Sequence, residues 1–100
     1  MGTSRGDQPF EVVKADFGFG KVEIHFREMS LYEEDLIFRA RDESIHQFII
    51  EHLFLRSRDE SGMRIWKSKA DREKIARDFD ATEAKRVVNI MCEVKSEPGN

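Results

Sequence analysis

The stretch VEIHFREMSLYEEDLIFRA, residues 22–40, is the most informative about the fold class, because its hydrophobic periodicity changes part-way along. At its start, Val22, Ile24 and Phe26 alternate with charged or polar residues, a period of two that is typical of a half-buried strand. After Arg27 the apolar residues follow a helical period instead. The stretch therefore predicts a strand that leads directly into a helix.

The residues before this strand predict its partner. Phe10 to Ala15 is rich in β-forming residues, and the segment Asp16-Phe17-Gly18-Phe19-Gly20 supplies two glycines for a tight connection. We expect a β-hairpin. Because two strands alone are only marginally stable, one face of the hairpin must rest on helices or on another subunit.

Two helices are predicted after the hairpin. Ser30 and Glu33 have the spacing of a capping box, so the first helix begins there and continues to about Arg41. The segment Asp42-Glu43-Ser44 interrupts it or caps the next helix. The second helix carries an apolar stripe with a helical period: Ile45, Phe48, Ile49, His52 and Leu53.

Two more helices complete the expected fold. Arg56 to Gly62 is a predicted polar turn, Ser68 can cap a helix that runs to about Phe79, and Asp80 to Glu83 is a box-like start for the last helix. The buried face of that helix is predicted to comprise Ala84, Val87, Val88, Met91 and Val94. The fold class is therefore α+β and predominantly α-helical, with an N-terminal β-hairpin followed by about four helices.

Composition indicates one domain with a charged surface. Apolar residues make up 39% of the chain and charged residues 37%, and the net charge is −3. We expect a flexible N-terminal tail over residues 1–9, one globular domain over 10–95 and a flexible C-terminal tail over 96–100. The single cysteine, and the lack of a signal peptide or membrane-length apolar run, favour a cytoplasmic protein.

No pattern predicts catalysis, a metal or a cofactor. Gly18-Phe19-Gly20 lacks the third glycine, the lysine and the following helix of a phosphate-binding loop. His25, His46 and His52 show no metal-ligand spacing with one another or with Cys92, which is expected to pack as a small hydrophobe. We therefore expect a protein that works by binding other proteins, without membrane contact.

A DNA-binding helix-turn-helix over residues 75–91 is the alternative function. Ile75, Ala76 and Phe79, followed by the last helix, have the rhythm of two short helices at a sharp turn. However, Asp80 stands where a turn glycine is usual, and Glu83 lies beside the basic residues of the supposed recognition helix. Nucleic acid is therefore the less favoured partner.

Three short motifs resemble a known family. They are Arg27-Glu28-Met29-Ser30 with Glu33 one turn later, Asp59-Glu60-Ser61-Gly62-Met63-Arg64-Ile65-Trp66, and the apolar positions Val87, Val88 and Ile90. In this order they are similar to the motifs of siphophage tail assembly chaperones, which serve phages with long non-contractile tails. Met29 replaces the usual Leu of the family and Trp66 the usual Phe.

The resemblance implies a function. Such chaperones self-associate, coat and solubilise the hydrophobic tape-measure protein, recruit tail-tube subunits and leave the finished virion, so the expected location is the host cytoplasm. It also implies a longer form made by a −1 frameshift, and the amino acids Pro98-Gly99-Asn100 permit, without requiring, a slippery codon run there. The motif positions Glu33, Asp59, Gly62 and Trp66 are expected to serve the fold as cap, turn and anchor.

The hairpin tip is the predicted contact surface. Phe17 and Phe19 flank Gly18 in a turn, where aromatic side chains have few neighbours in their own chain. We therefore expect Phe17 and Phe19 to contact a second subunit or the client, with help from a free strand edge.

Overall fold

A computed structural model describes residues 10–93 of the chain. Its element order confirms the predicted fold class: β1 (Glu11–Asp16), β2 (Lys21–Phe26), α1 (Leu31–Glu43), α2 (Ile45–Arg56), α3 (Lys69–Asp78) and α4 (Ala81–Glu93). The two predicted tails, Val94 and Pro98-Gly99-Asn100 lie outside the described residues.

The hairpin is antiparallel, and Asp16 pairs with Lys21 at its closed end. The Asp16 carboxylate accepts hydrogen bonds from the backbone amides of Gly18 (2.9 Å) and Gly20 (3.2 Å), both of which have positive φ. Glycine adopts this conformation without strain, which explains its use at both positions. The alternation predicted for β2 is present, since Ile24 and Phe26 are buried and Val22 is half-buried.

The helix starts agree with the predicted caps. Ser30 and Glu33 form a reciprocal capping box at α1, and Ser44 caps α2 through the amide of Gln47. Ser68 caps α3 together with the Asp71 side chain. These side chains satisfy amides that the first turn of a helix leaves without partners.

Helix α2 is the centre of the molecule, since it packs against α1, α3 and α4, while β1 packs against α4. Every residue from His52 to Arg56, at its C-terminal end, is buried. Ser57 is buried as well, and the expectation that Arg56 opens a polar turn is wrong. The predicted stripe also needs one correction, because Ile45 at its N-terminal end is exposed.

The segment between α2 and α3 holds the family-motif positions. The Asp59 side chain accepts hydrogen bonds from Ser61 and from the amide of Met63, and Gly62 has a φ of 91° that favours glycine. Trp66 is 7% exposed and meets Phe79 at 5.1 Å between ring centroids. In the structure Glu33 thus caps α1, Asp59 and Gly62 form a turn, and Trp66 is buried.

No helix among residues 10–93 has the length and apolar character needed to cross a membrane.

Candidate functional site

An open cleft lies between α1, α2 and α4. It has a volume of about 820 Å³, within the size range of ligand-binding sites. Its walls come from the segment before α1 and from one face of each of the three helices. The lining residues are Glu28, Met29, Ser30, Leu31, Glu34, Phe38, Arg41, Phe48, His52, Arg56, Met91 and Cys92.

The α1 wall carries an apolar ridge that faces solvent. Leu31 is 86% exposed and Phe38, two turns further on, is 39% exposed. The guanidinium of Arg41 lies over the Phe38 ring, 5.0 Å from its centroid. Because the capping box fixes where α1 begins, it also fixes Leu31, the first helical residue, at the rim of the cleft.

Met29, which is half-buried before α1, also lines the cleft. Met91 of α4 lies behind the cleft wall and is fully buried, so it supports the wall and does not itself face a partner. Methionine has three rotatable bonds and a polarizable sulfur, so it adapts to differently shaped apolar partners. The cleft therefore has the composition of a surface that accepts an apolar protein segment.

His52 forms part of the polar base of the cleft. Its side chain is fully buried, and Arg56 donates a hydrogen bond from Nη1 to His52 Nε2 at 2.9 Å. Since arginine only donates, Nε2 is the acceptor and the proton of the neutral ring is on Nδ1. Burial, with the positive charge of Arg56 as the second cause, lowers the pKa of His52 from 6.5 to about 3.

Arg56 joins three parts of the fold. It is 3% exposed, and its guanidinium donates to the carbonyl oxygens of Met91 (3.3 Å) and Arg27 (2.6 Å) as well as to His52. Burial lowers the pKa of the Arg56 guanidinium below its ordinary value. Since these bonds fix α2 to α4 and to the end of β2, Arg56 holds two walls of the cleft in place.

Cys92 lies at the edge of this group. Its Sγ is 3.8 Å from His52 Nε2, but the residue as a whole is exposed. The expectation that Cys92 packs as a small hydrophobe is therefore wrong. Among residues 10–93, no group of three or more histidine, cysteine or acidic side chains could hold a metal ion.

The hairpin tip differs from the prediction at Phe17. This side chain is 0% exposed and stacks on Phe79, with 4.4 Å between ring centroids, while its carbonyl oxygen accepts from the amide of Asp80 at 2.9 Å. Phe17 is therefore a core residue that docks the tip on the turn between α3 and α4, and it is not available to a partner. Phe19 remains 45% exposed, with the Lys74 ammonium 4.6 Å from its ring centroid.

The strand edges are not free over their whole length. On the outer edge of β1, Glu83 accepts from the amide of Asp16 (3.0 Å) and Arg86 donates to the carbonyl of Lys14 (2.8 Å). On the outer edge of β2, the backbone of His25 exchanges two hydrogen bonds with that of Arg58. These contacts correct the expectation of a free edge at the positions that they cover.

Sequence reasoning missed the cleft, although a signal was present. His52 lies within, and Arg56 one turn later directly after, the mostly apolar run Phe48 to Leu55, whose other polar residue is Glu51. A helix that is apolar on every side is buried, so polar residues within it must find internal partners. That reasoning would have placed the pair inside the molecule, but it would not have revealed the open space beside them.

Comparison of the chain with protein-family models, with curated proteins and with solved structures finds no match in any of the three.

Proposed function

We propose that this protein is a phage tail assembly chaperone that self-associates and holds an apolar segment of the tape-measure protein in the cleft between α1, α2 and α4. The observation that carries the proposal is the exposure of Leu31 and Phe38 beside a cleft that Met29 also lines. Exposed apolar side chains that line one cleft are a common feature of protein-binding sites.

The cleft suits a client helix better than a small ligand. Leu31 and Phe38 are seven residues apart on the same face of α1, so they offer two contacts along one line. An amphipathic helix placed alongside would present its own apolar residues at the same spacing. Removal of this apolar surface from water drives the association, at roughly 25 cal/mol per Å².

The family resemblance supplies the identity of the client. One of the motif residues, Glu33, contributes indirectly to the cleft, because it caps α1, the helix that forms the exposed wall. Recruitment of tail-tube subunits and absence from the finished virion remain part of the proposal on the strength of the resemblance alone.

The DNA-binding alternative receives less support. Arg86, on the supposed recognition helix, donates to the Glu83 carboxylate (2.8 Å) and to the carbonyl of Lys14. A guanidinium held in this way contributes little to phosphate binding. The same helix turns Ala84, Val87, Val88 and Met91 into the core.

Co-expression with the tape-measure protein of the same genome tests the proposal. We expect the wild-type chain to keep the client in the soluble fraction, and Leu31→Lys to abolish this effect because it places a charge in the apolar cleft. Met63→Lys is the matched control, since Met63 is also exposed but lies outside the cleft. Equal client solubility with both variants, or tight salt-sensitive binding to duplex DNA, would count against the proposal.

A further inference from the structure

The α1 wall carries two opposite charges on either side of Phe38. Glu34 and Arg41 both line the cleft, seven residues apart on the same face of the helix. Within the described part of the chain neither makes an ion pair, whereas Asp35 and Arg39 of the same helix pair with each other at 3.1 Å. The charges that face the cleft are therefore available to a partner.

The charges on this face of α1 are complementary to those of a second α1 helix that runs in the opposite direction. Residues seven apart in a helix are separated by about 10.5 Å along its axis. If a second α1 lies antiparallel to the first, with a two-fold axis beside Phe38, Glu34 of each copy faces Arg41 of the other. A two-fold interface forms every contact twice, so one geometry satisfies all four charges.

The apolar residues fit the same arrangement. The two Phe38 side chains meet near the axis, and each Leu31 extends toward the C-terminal end of the other α1. A parallel arrangement would instead bring like charges together, which is unfavourable. Charge complementarity therefore favours a second copy of this chain, in one orientation, as the occupant.

We infer that two copies associate through antiparallel α1 helices and cover each other's clefts. The inference rests on the proposed function in one respect, because the covered surface is the proposed client site. Self-association then regulates that site. It keeps the apolar ridge away from water until a client replaces the second copy, so self-association and client binding exclude each other.

Charge reversal provides the test. Glu34→Arg gives a copy with two positive charges on this face, and Arg41→Glu gives a copy with two negative charges. We expect each variant alone to self-associate at least about tenfold more weakly than wild type, because two attractive contacts become repulsive at once. A 1:1 mixture should associate as a heterodimer, and the double variant E34R/R41E should recover the homodimer.

Sedimentation velocity at low salt measures association of the wild type, the two single variants, their mixture and the double variant, and far-UV circular dichroism verifies that each chain is folded. The double variant E73R/R77E is the matched control, because it reverses an exposed ion pair on α3. A wild-type chain that stays monomeric at its highest soluble concentration would overturn the inference. So would single variants that associate like wild type, or a mixture that shows no recovery.

The client assay separates this inference from the proposed function. Glu34→Arg retains the apolar side chains of Leu31 and Phe38 and replaces one charged group of the cleft by another. If the two events compete, this variant should solubilise the client at a lower molar ratio than wild type. Recovery of association in the mixture, without client binding by any variant, would support the interface and refute the chaperone proposal. If the wild-type chain binds the client but the mixture shows no recovery of association, the chaperone proposal is supported and the α1 interface is refuted.

Discussion

Phe17 and Phe19 stand two residues apart in the hairpin loop and have opposite environments. Phe17 meets Phe79 and Trp66 in the core, whereas Phe19 contacts the same cluster from outside, 5.2 Å from Phe79 between ring centroids. Burial, and not residue type, therefore decides what each side chain does.

We expect Phe17→Ala to lower the free energy of unfolding by about 3–5 kcal/mol, since it removes a fully buried ring from a well-packed cluster. Phe19→Ala should cost less than about 1.5 kcal/mol, because a half-exposed ring loses fewer contacts. Urea unfolding at neutral pH measures both values. Similar losses for the two variants would contradict the assignment of Phe17 to the core and Phe19 to the surface.

His52 makes stability depend on pH. The folded side chain takes up a proton only near pH 3, whereas the unfolded one does so near its ordinary pKa of 6.5. The unfolded state therefore binds more protons between these values. The contribution of His52 is fully present above pH 6.5, and it decreases by up to about 1.4 kcal/mol per pH unit as the pH falls toward 3.

Unfolding titrations at pH 7 and pH 5 test this prediction. His52→Gln retains an oxygen that can accept from Arg56, but it cannot take up a proton, so the variant should lose much of the pH dependence in this interval. His46→Gln is the control, since His46 is exposed on the same helix. An unchanged slope in His52→Gln would mean that other groups cause the dependence.

At the scale of elements, α4 closes the outer edge of β1. The backbone amide of Glu83 donates to the Asp80 side chain, which is one half of a capping box. The other half is missing, because the backbone amide of Asp80 donates to the carbonyl oxygen of Phe17 and not to the Glu83 side chain. The Glu83 carboxylate binds Arg86 and the amide of Asp16, and these bonds lower the pKa of Glu83 to about 2. A side chain thus satisfies an edge group that an added strand would otherwise use.

Glu83→Ala should expose this edge. We expect the backbone amide of Asp16 to exchange with solvent at least about tenfold faster in the variant, because its hydrogen-bond acceptor is gone. Glu73→Ala is the control, since Glu73 forms an exposed ion pair on α3. Amide exchange measured by NMR decides the matter, and an unchanged rate at Asp16 would show that Glu83 does not protect the edge.

At the scale of the whole molecule, the thiol of Cys92 can be used to measure whether the cleft is occupied. Cys92 is the single cysteine, is exposed and lines the cleft between α2 and α4. Anything that fills the cleft should therefore slow modification of its thiol.

We expect the rate at which a maleimide labels Cys92 to fall as the concentration of the wild-type chain is raised, because self-association covers the cleft. The Glu34→Arg variant should show no such fall. Mass spectrometry of the labelled fraction measures both rates. A concentration dependence that is the same in the two chains would argue against coverage of the cleft through α1.

Local features of the chain are sufficient to predict its strands and helices. The change of period after Arg27, the glycines of the hairpin loop and the serines at positions 30, 44 and 68 act through local sterics and hydrogen bonds, so they predicted the hairpin and the helix starts. The burial of Trp66 was also predictable, because a large apolar side chain loses unfavourable contact with water when it is buried.

Which surfaces stay exposed depends on how the helices and the hairpin pack together. Phe17 became a core residue because the α3–α4 turn, more than 60 positions later in the chain, comes to lie against it. Leu31 is 86% exposed at the cleft although its helix, α1, packs against α2. Contacts between residues distant in sequence are not encoded in local periodicity, so the cleft, its Arg56–His52 base and the charge pattern on its wall emerged only when the helices were packed.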